Sequence, residues 1–401
     1  MPPLGHCIRA IVAALGILLA YVPVATAGDV LKFELKMGDR VLFLGNGFVE
    51  NDQGHAYLET RLQRRYPGQA ISFRYMGWSG DTVLGSARTA GFQVPQGLAR
   101  LEKESLALKP TVIFLAYGMN ESFAGPQVIA DFLRDYDQLL KTLAPLKARL
   151  VILSPTYHED LGRPFPDPSE HNQHLEQYTK ALKKFADQRK LAFVDLFHPP
   201  ATAKKADGEL RLTTNGILLT QAGYALAGQA AEQQLGFGLN YWEVTLDGPG
   251  KAASVSSAIA KIVTIEVKGN TVRLQTNDAR LPLAPEVHIL RITGLQPGNH
   301  LLKIDGQEIL HASAADWNKG VRIAKGPMFA DAEKLREAIV HRNQLFYRRW
   351  RPYNDHSRHW GFIGGDFKLY DQEIAAQENR IAELSAVRTR TYEITRAEPP
   401  K

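Results

Sequence analysis

The sequence predicts a doubly wound α/β domain built on a parallel sheet, followed by a small antiparallel β-sandwich and a helical C-terminal segment. Three observations carry that reading. Between Arg40 and about Gly236, five short apolar runs alternate with longer stretches of helical period. After Gly236 the pattern changes to period-two alternation broken by Gly-Asn, Pro-Gly and Asp-Gly turn signals. Beyond about Ile323 the helical period returns.

The strands are expected at Arg40–Leu44, Ile71–Tyr75, Thr111–Ala116, Leu150–Ser154 and Ala192–Asp195. Each is short and mostly apolar, as suits strands covered on both faces by helices. Helices are expected at Tyr57–Tyr66, Pro126–Leu143, Glu170–Gln188 and Thr220–Gln234. In a sheet of this kind the ligand crevice lies outside the carboxyl ends of the strands. The stretches "KIVTIEVKGNTVRLQT" and "VHILRITGLQPGNHLLKIDGQEI" predict the sandwich, from about Tyr241 to Ile323. Asp331 is a candidate N-cap for a helix running to about Tyr347, and "YDQEIAAQENRIAELSAV" places Ile374, Ile381 and Leu384 on one face of another. The expected division is 1–27, 28–236, 237–325 and 326–401, with the last segment packing back on the α/β domain.

A chain of 401 residues is long enough for two compact domains, and 44% hydrophobic with 22% charged residues is an ordinary globular composition. Segment 1–27 reads as a secretory signal peptide: His6 and Arg9, an apolar run from Ala10 to Val24, then Ala25-Thr26-Ala27. The apolar run is shorter than the roughly 20 residues that cross a bilayer. The expectation is therefore export, to the periplasm or beyond, with no membrane span after cleavage. The lone cysteine, Cys7, falls in this segment, so the mature chain has no disulfide and no thiolate metal site. Net charge is +6, and much of the excess sits in "HRNQLFYRRWRPYNDHSRHW". In an exported protein that pattern suits sugar rings, anionic polysaccharide or domain packing better than nucleic acid.

Four segments fall where the predicted strands end: "LGNGF", "GWSGDTV", "YGMNES" and "TNGILLTQAGY". In order and context they resemble the four sequence blocks of the SGNH (GDSL-type) hydrolase family, over roughly Arg40 to Gly236. The resemblance implies a flavodoxin-like fold and hydrolysis of carboxylic esters, with acetylated carbohydrate as the expected substrate; no cofactor is expected. It also implies a nucleophilic serine in the first block, an Asp-x-x-His pair in the last, and oxyanion donors from the first, second and third blocks. Gly80 fits the second block's glycine and Asn120 the third block's asparagine, with Asn46 and Glu121 beside them. The triad positions hold Gly47, Asn215 and Leu218. Gly47 has no oxygen to attack a carbonyl, Leu218 cannot accept a proton, and neutral Asn215 cannot steady an imidazolium. The expectation is a reworked site that binds ester or glycan ligands. The alternative is an esterase in which His158 or His198 activates water and Asn120 and Gly80 hold the oxyanion.

The remaining candidates admit structural readings too. His158 stands with Glu159 and Asp160 in a Pro-rich loop, either as a general base or as a loop brace. Ser79 and Ser122 suit turn bracing, and Asp81 suits a cap. His171, Asn172 and His174 open a helix, where capping or packing is the default. Among Arg348, Arg349, Trp350, Arg351 and Tyr353, Arg351 and Tyr353 are the candidate ligand contacts, while Phe346 and Trp350, four apart, are spaced to seat the segment on the first domain. No His, Asp or Glu pair has a recognisable metal-ligand spacing, so no metal is expected.

Overall fold

In the computed structural model the described residues are 33–89, 94–199, 211–237, 242–248, 252–255, 259–283, 285–351 and 367–397. The expected signal peptide and Tyr353 lie outside them. Five parallel strands form the first sheet: β1 (Arg40–Gly45), β2 (Ser72–Gly77), β3 (Val112–Ala116), β4 (Arg149–Leu153) and β5 (Ala192–Val194). Their order is β2-β1-β3-β4-β5, which is the flavodoxin-like doubly wound arrangement. Alternate residues of each strand feed opposite faces. Val41, Phe43, Phe73, Phe114 and Val151 enter one core, and Leu42, Leu44, Ile113, Leu115 and Ile152 enter the other.

The helices that cover the sheet follow from their apolar spacing. After α1 (Gly47–Asp52), α2 (Tyr57–Gln63) and α3 (Val94–Leu108) comes α4 (Ile129–Leu143), which buries Phe132, Tyr136, Leu139 and Leu143 at helical intervals. Next, α5 (Ser169–Arg189) buries Leu175, Tyr178, Leu182 and Phe185. The last helix of this domain is α6 (Gln221–Gln234), whose N-cap Thr220 accepts from the Gly223 amide at 3.3 Å.

The second part of the chain packs two sheets face to face. A five-stranded antiparallel sheet contains β8 (Ile262–Lys268), β9 (Thr271–Asn277), β11 (Asn299–Ile304), β12 (Gln307–Ser313) and β14 (Thr389–Arg396). A four-stranded sheet contains β6 (Trp242–Asp247), β7 (Ala252–Val255), β10 (His288–Ile292) and β13 (Val321–Ile323). Trp242, Val244, Leu290 and Ile323 meet Leu274, Leu302, Tyr392 and Ile394 in their shared core. Two features differ from the sequence expectation. Strands β6 and β10 pair in parallel, so the smaller sheet is mixed. The sandwich also does not close before residue 325: β14, from the end of the chain, lies between β9 and β11 and completes the larger sheet.

Between β12 and β13 lies a short helix, α7 (Ala314–Lys319). Two long helices then separate β13 from β14. Helix α8 (Pro327–Trp350) packs against β2 and α2, placing Leu335 and Ile339 in one core of the α/β domain and Phe346 and Trp350 in the other. Its partner α9 (Phe367–Leu384) adds Ile374 and Ile381. Asp331 is not the cap of α8. It lies inside the first turns and pairs with Arg390 of β14, while the helix begins at Pro327. Buried ion pairs lock the parts together: Arg342 of α8 with Glu59 of α2, and Arg61, Arg64 and Arg65 of α2 with Glu232 of α6, with Glu286 also bound by Arg61 and Arg64. No described helix is long and apolar enough to cross a membrane.

Candidate active site

At the carboxyl ends of β1, β3 and β4 lies a pocket of about 630 Å³, counted out to its mouth. Gly47, Gly80, Asn120 and Leu218 all line it, so the four sequence blocks converge on one cavity. Phe48, Met119, Ile217, Leu219 and Tyr224 make much of the rest of the wall. Among the described lining residues there is no Asp, Glu, His, Lys or Arg.

One half of the pocket presents donors. Asn46 caps α1, its Oδ1 accepting from the Phe48 amide at 3.1 Å, and this turns the chain so that Gly47 faces the cavity at the helix start. Gly80 has φ +77°, a left-handed conformation that suits glycine. No group among the described residues accepts from the amides of Gly47 or Gly80. The Asn120 side-chain amide donates one hydrogen to the Asp81 carbonyl at 2.6 Å, leaving the second for the cavity.

These donors are tied to the core. Asp81 and Arg88 form an ion pair at 2.7 Å with both side chains fully buried, and Arg88 also donates to the Met76 carbonyl at 2.9 Å. Asp81 is therefore a core anchor whose carboxylate reaches Arg88 and the Ala87 amide, and not merely a turn cap. Glu121 accepts from the amides of Val83 and Gly118, each at 3.0 Å, which clamps the second block to the third. Burial pushes its carboxyl group up to about 7, against the pull of those backbone donors.

Among the described residues, the other half presents no acid, base or activated nucleophile. Gly47 does not have a left-handed backbone, so its turn does not require glycine. A Cβ there would meet its nearest neighbour, Ser79 Oγ, at 3.4 Å, an ordinary contact. Asn215 lies one turn behind the lining: its Oδ1 accepts from the amides of Ile217 at 3.1 Å and Leu218 at 2.8 Å. That bond tightens the loop and holds Leu218, which is 39% exposed, at the pocket lip.

Neither candidate base reaches the cavity. His158 is buried, with its Nδ1 2.9 Å from Nδ1 of His171 and its backbone bonded both ways to the Asn172 side chain. Burial lowers its affinity for a proton, with Asp160 partly offsetting that. His198 is exposed and bound to Asp195 Oδ2 at 2.5 Å. The water-activating role expected for them lacks the required approach. Glu159 serves the loop as well, accepting from the Thr213 amide and hydroxyl at 2.7 Å each. Ser122 is fully buried, donating to the Met119 carbonyl at 2.7 Å and lying 2.8 Å from His171 Nε2. Burial, with His158 and His174 adding to it, depresses His171 to about 4. Arg351, expected as a ligand contact, instead pairs with Glu50 at 3.3 Å and covers the Trp78 ring. Glu50 Oε2 accepts from the Ser79 amide at 2.5 Å, so the end of α8 braces the back of the donor loop. Ser79 itself is exposed and its hydroxyl is the nearest to the place a side chain on Gly47 would fill. The Ser122–His171–His158 chain has no signature in the sequence, since its members come from three separate segments.

The sheet order and the strand-end pocket are those of an SGNH-hydrolase-like α/β fold. Residues 38–226 match the model of the GDSL-like Lipase/Acylhydrolase family. A search of curated proteins returns no match. Among solved structures, a gut microbial diltiazem-metabolizing enzyme matches with TM-score 0.74 at 17% identity, covering 91% of this chain and 99% of that one. The likeness therefore extends beyond the α/β domain and concerns the fold. The acetylxylan esterase Axe2 from Geobacillus stearothermophilus aligns over 51% of this chain and 98% of its own, at 20% identity and TM-score 0.41.

Proposed function

We propose that this protein binds neutral acyl esters, including acylated carbohydrate, without hydrolysing them. A carbonyl oxygen entering the pocket would meet the amides of Gly47 and Gly80 and the side chain of Asn120, while its acyl group lies against Met119, Ile217 and Leu218. The observation that carries the reading is the lining itself: it offers hydrogen-bond donors and apolar surface, with no ionisable Asp, Glu, His, Lys or Arg among the described residues. Hydrolysis on this scaffold needs a proton acceptor beside the nucleophile, and donors alone retain roughly 10³ to 10⁴ of rate over water. A neutral ester is also favoured over its free acid, because the described lining residues offer a carboxylate no counter-charge. Export from the cell belongs to the same proposal and rests on the character of segment 1–27.

The test is a pair of measurements on one ligand. Titration with methyl butyrate, followed by NMR, should show saturable shifts at Gly80 and Asn120, while sodium butyrate shifts them much less. Release of butyrate over hours should stay at the rate of a protein-free control to within the donor-only enhancement. Rapid turnover removed by no variant of the pocket would refute the site, and rapid turnover removed by Ser79→Ala would refute the non-hydrolytic reading.

A further inference from the structure

The lining residues Ser79 and Gly80 are the two central residues of a tight turn. It runs from Trp78 to Asp81 and is closed by the Asp81 amide, which donates to the Trp78 carbonyl at 3.0 Å. The φ of +77° at Gly80 is that of the third residue of a type II turn. Both ends are anchored: the Trp78 amide donates to the Gly45 carbonyl at 3.0 Å, and Arg88 holds the Asp81 carboxylate. The closing bond of such a turn leaves its central peptide, here the one that carries the Gly80 amide, without a partner inside the turn. Between the anchored ends the turn is held by the Ser79 amide, which donates to Glu50 Oε2 at 2.5 Å. Glu50 is well placed for this, because α1 lies directly on the end of β2. A Cβ on Gly77 would fall 2.0 Å from the Glu50 nitrogen. The backbone of Glu50 is therefore fixed against the strand that leads into the turn, and its side chain alone decides where the Ser79 amide is held.

That side chain is gripped from the opposite direction. Glu50 Oε1 accepts from the Tyr347 hydroxyl at 3.2 Å and from Arg351 Nη2 at 3.3 Å. Arg351 is the C-cap of α8, and its guanidinium also lies over the Trp78 ring, 3.1 Å from the centroid. One carboxylate thus joins the pocket turn, through Oε2, to a helix that follows the sandwich strand β13, through Oε1. The Glu50 and Arg351 side chains are 14% and 18% exposed, so water screens this pair less than an open surface pair. Arg351 also balances the charge: a lone carboxylate behind the Ser79 amide would oppose the partial negative charge of a carbonyl oxygen at Gly80. We infer that Glu50 is a positioning residue for the pocket: held by Tyr347 and Arg351, it sets the orientation of the Gly80 amide, so that the end of α8 tunes affinity for the ester. The inference rests on the ester-binding reading of the pocket. It adds that a helix with no residue among the described lining contributes to the strength of binding.

The test is NMR titration of the full chain with methyl butyrate in wild type, Arg351→Ala, Glu50→Ala, the double variant and Arg349→Ala. Arg349 is the control, since it lies at the same helix end but pairs with Asp371. Arg351→Ala should weaken binding about 3- to 10-fold, and Glu50→Ala by at least as much. The double variant should bind no more weakly than Glu50→Ala, because Arg351 acts through Glu50. Arg349→Ala should bind as the wild type does. The Gly80 amide resonance of the ligand-free protein should move in the first three variants and stay in the control. Wild-type affinity in Arg351→Ala and Glu50→Ala would overturn the positioning role and leave the ester pocket standing. An equal loss in Arg349→Ala would overturn it too, as would a double variant that loses the sum of both single effects. If methyl butyrate does not bind the wild type, the pocket reading falls and the positioning role falls with it.

Discussion

The two halves of the pocket are built on different physical footings. The donor half is wired into the core: Asn120 holds the Asp81 carbonyl, the Asp81 carboxylate holds fully buried Arg88, and Arg88 reaches the end of β2. Glu121 adds a second clamp between the same two blocks. The other half consists of Gly47, Asn215 and Leu218, whose side chains either are absent, bond only within their own turn, or sit at the lip. Changing a donor-half anchor should therefore disturb folding, whereas changing the other half should leave the fold intact. On the proposed reading, a scaffold of this kind can do without attacking groups at little structural cost and keep its donors.

The largest expected effect comes from installing attacking groups in the second half. Gly47→Ser, Asn215→Asp and Leu218→His together should raise hydrolysis of a short acyl ester by at least about 100-fold, with a ceiling near a millionfold, whereas each single change gains little because the groups act as a unit. The backbone at Gly47 and the 3.4 Å clearance to Ser79 Oγ accept the new serine. A folded triple variant with no gain would break the assignment of the two halves.

Next in size is the cost of cutting the donor half from its anchor. Arg88→Ala leaves a buried carboxylate unpaired and should lower stability by about 3–5 kcal/mol, read by chemical denaturation. Leu218→Ala, a partly exposed side chain, should cost about 1 kcal/mol or less. Equal costs would erase the contrast.

The pH dependence separates the halves again. The Glu121 carboxyl group is raised to about 7 by burial, above its ordinary unfolded value near 4.3. The native state then holds a proton that the unfolded chain releases, so this contribution is full below about pH 4.3 and is lost as pH rises through 7. His171 runs the other way: depressed to about 4, it contributes fully above about 6.5 and that contribution is lost as pH falls through 4. Glu121→Gln should flatten the decline in thermal stability between pH 5 and 8. A decline of unchanged slope would remove Glu121 as its source. The smallest effect belongs to the rim: Arg351→Ala, which breaks a partly exposed pair with Glu50, should change stability by no more than about 1 kcal/mol.

How far the sequence revealed this depends on the range of each signal. The parallel strands were legible because β1, β3 and β4 are buried on both faces and read as unbroken apolar runs. The pocket was legible because its blocks sit at strand ends, where topology brings them together. Strand β14 was not, because "TRTYEITR" has only Tyr392 and Ile394 as its core residues, and the partners that make it a strand, β9 and β11, lie far back in the chain. The Asp81–Arg88 pair and the Ser122–His171–His158 chain were likewise invisible, since each joins positions whose closeness is set by packing and not by spacing.

The division between a donor half and an unreactive half is tested most directly by intact-mass spectrometry after incubation with a fluorophosphonate, alongside a parallel NMR titration with methyl butyrate. The expected result is saturable ester binding with no mass increase, because no serine or threonine hydroxyl among the described lining residues is seen bonded to an Asp, Glu or His side chain. A stoichiometric adduct, above all one mapped to Ser79, would contradict it.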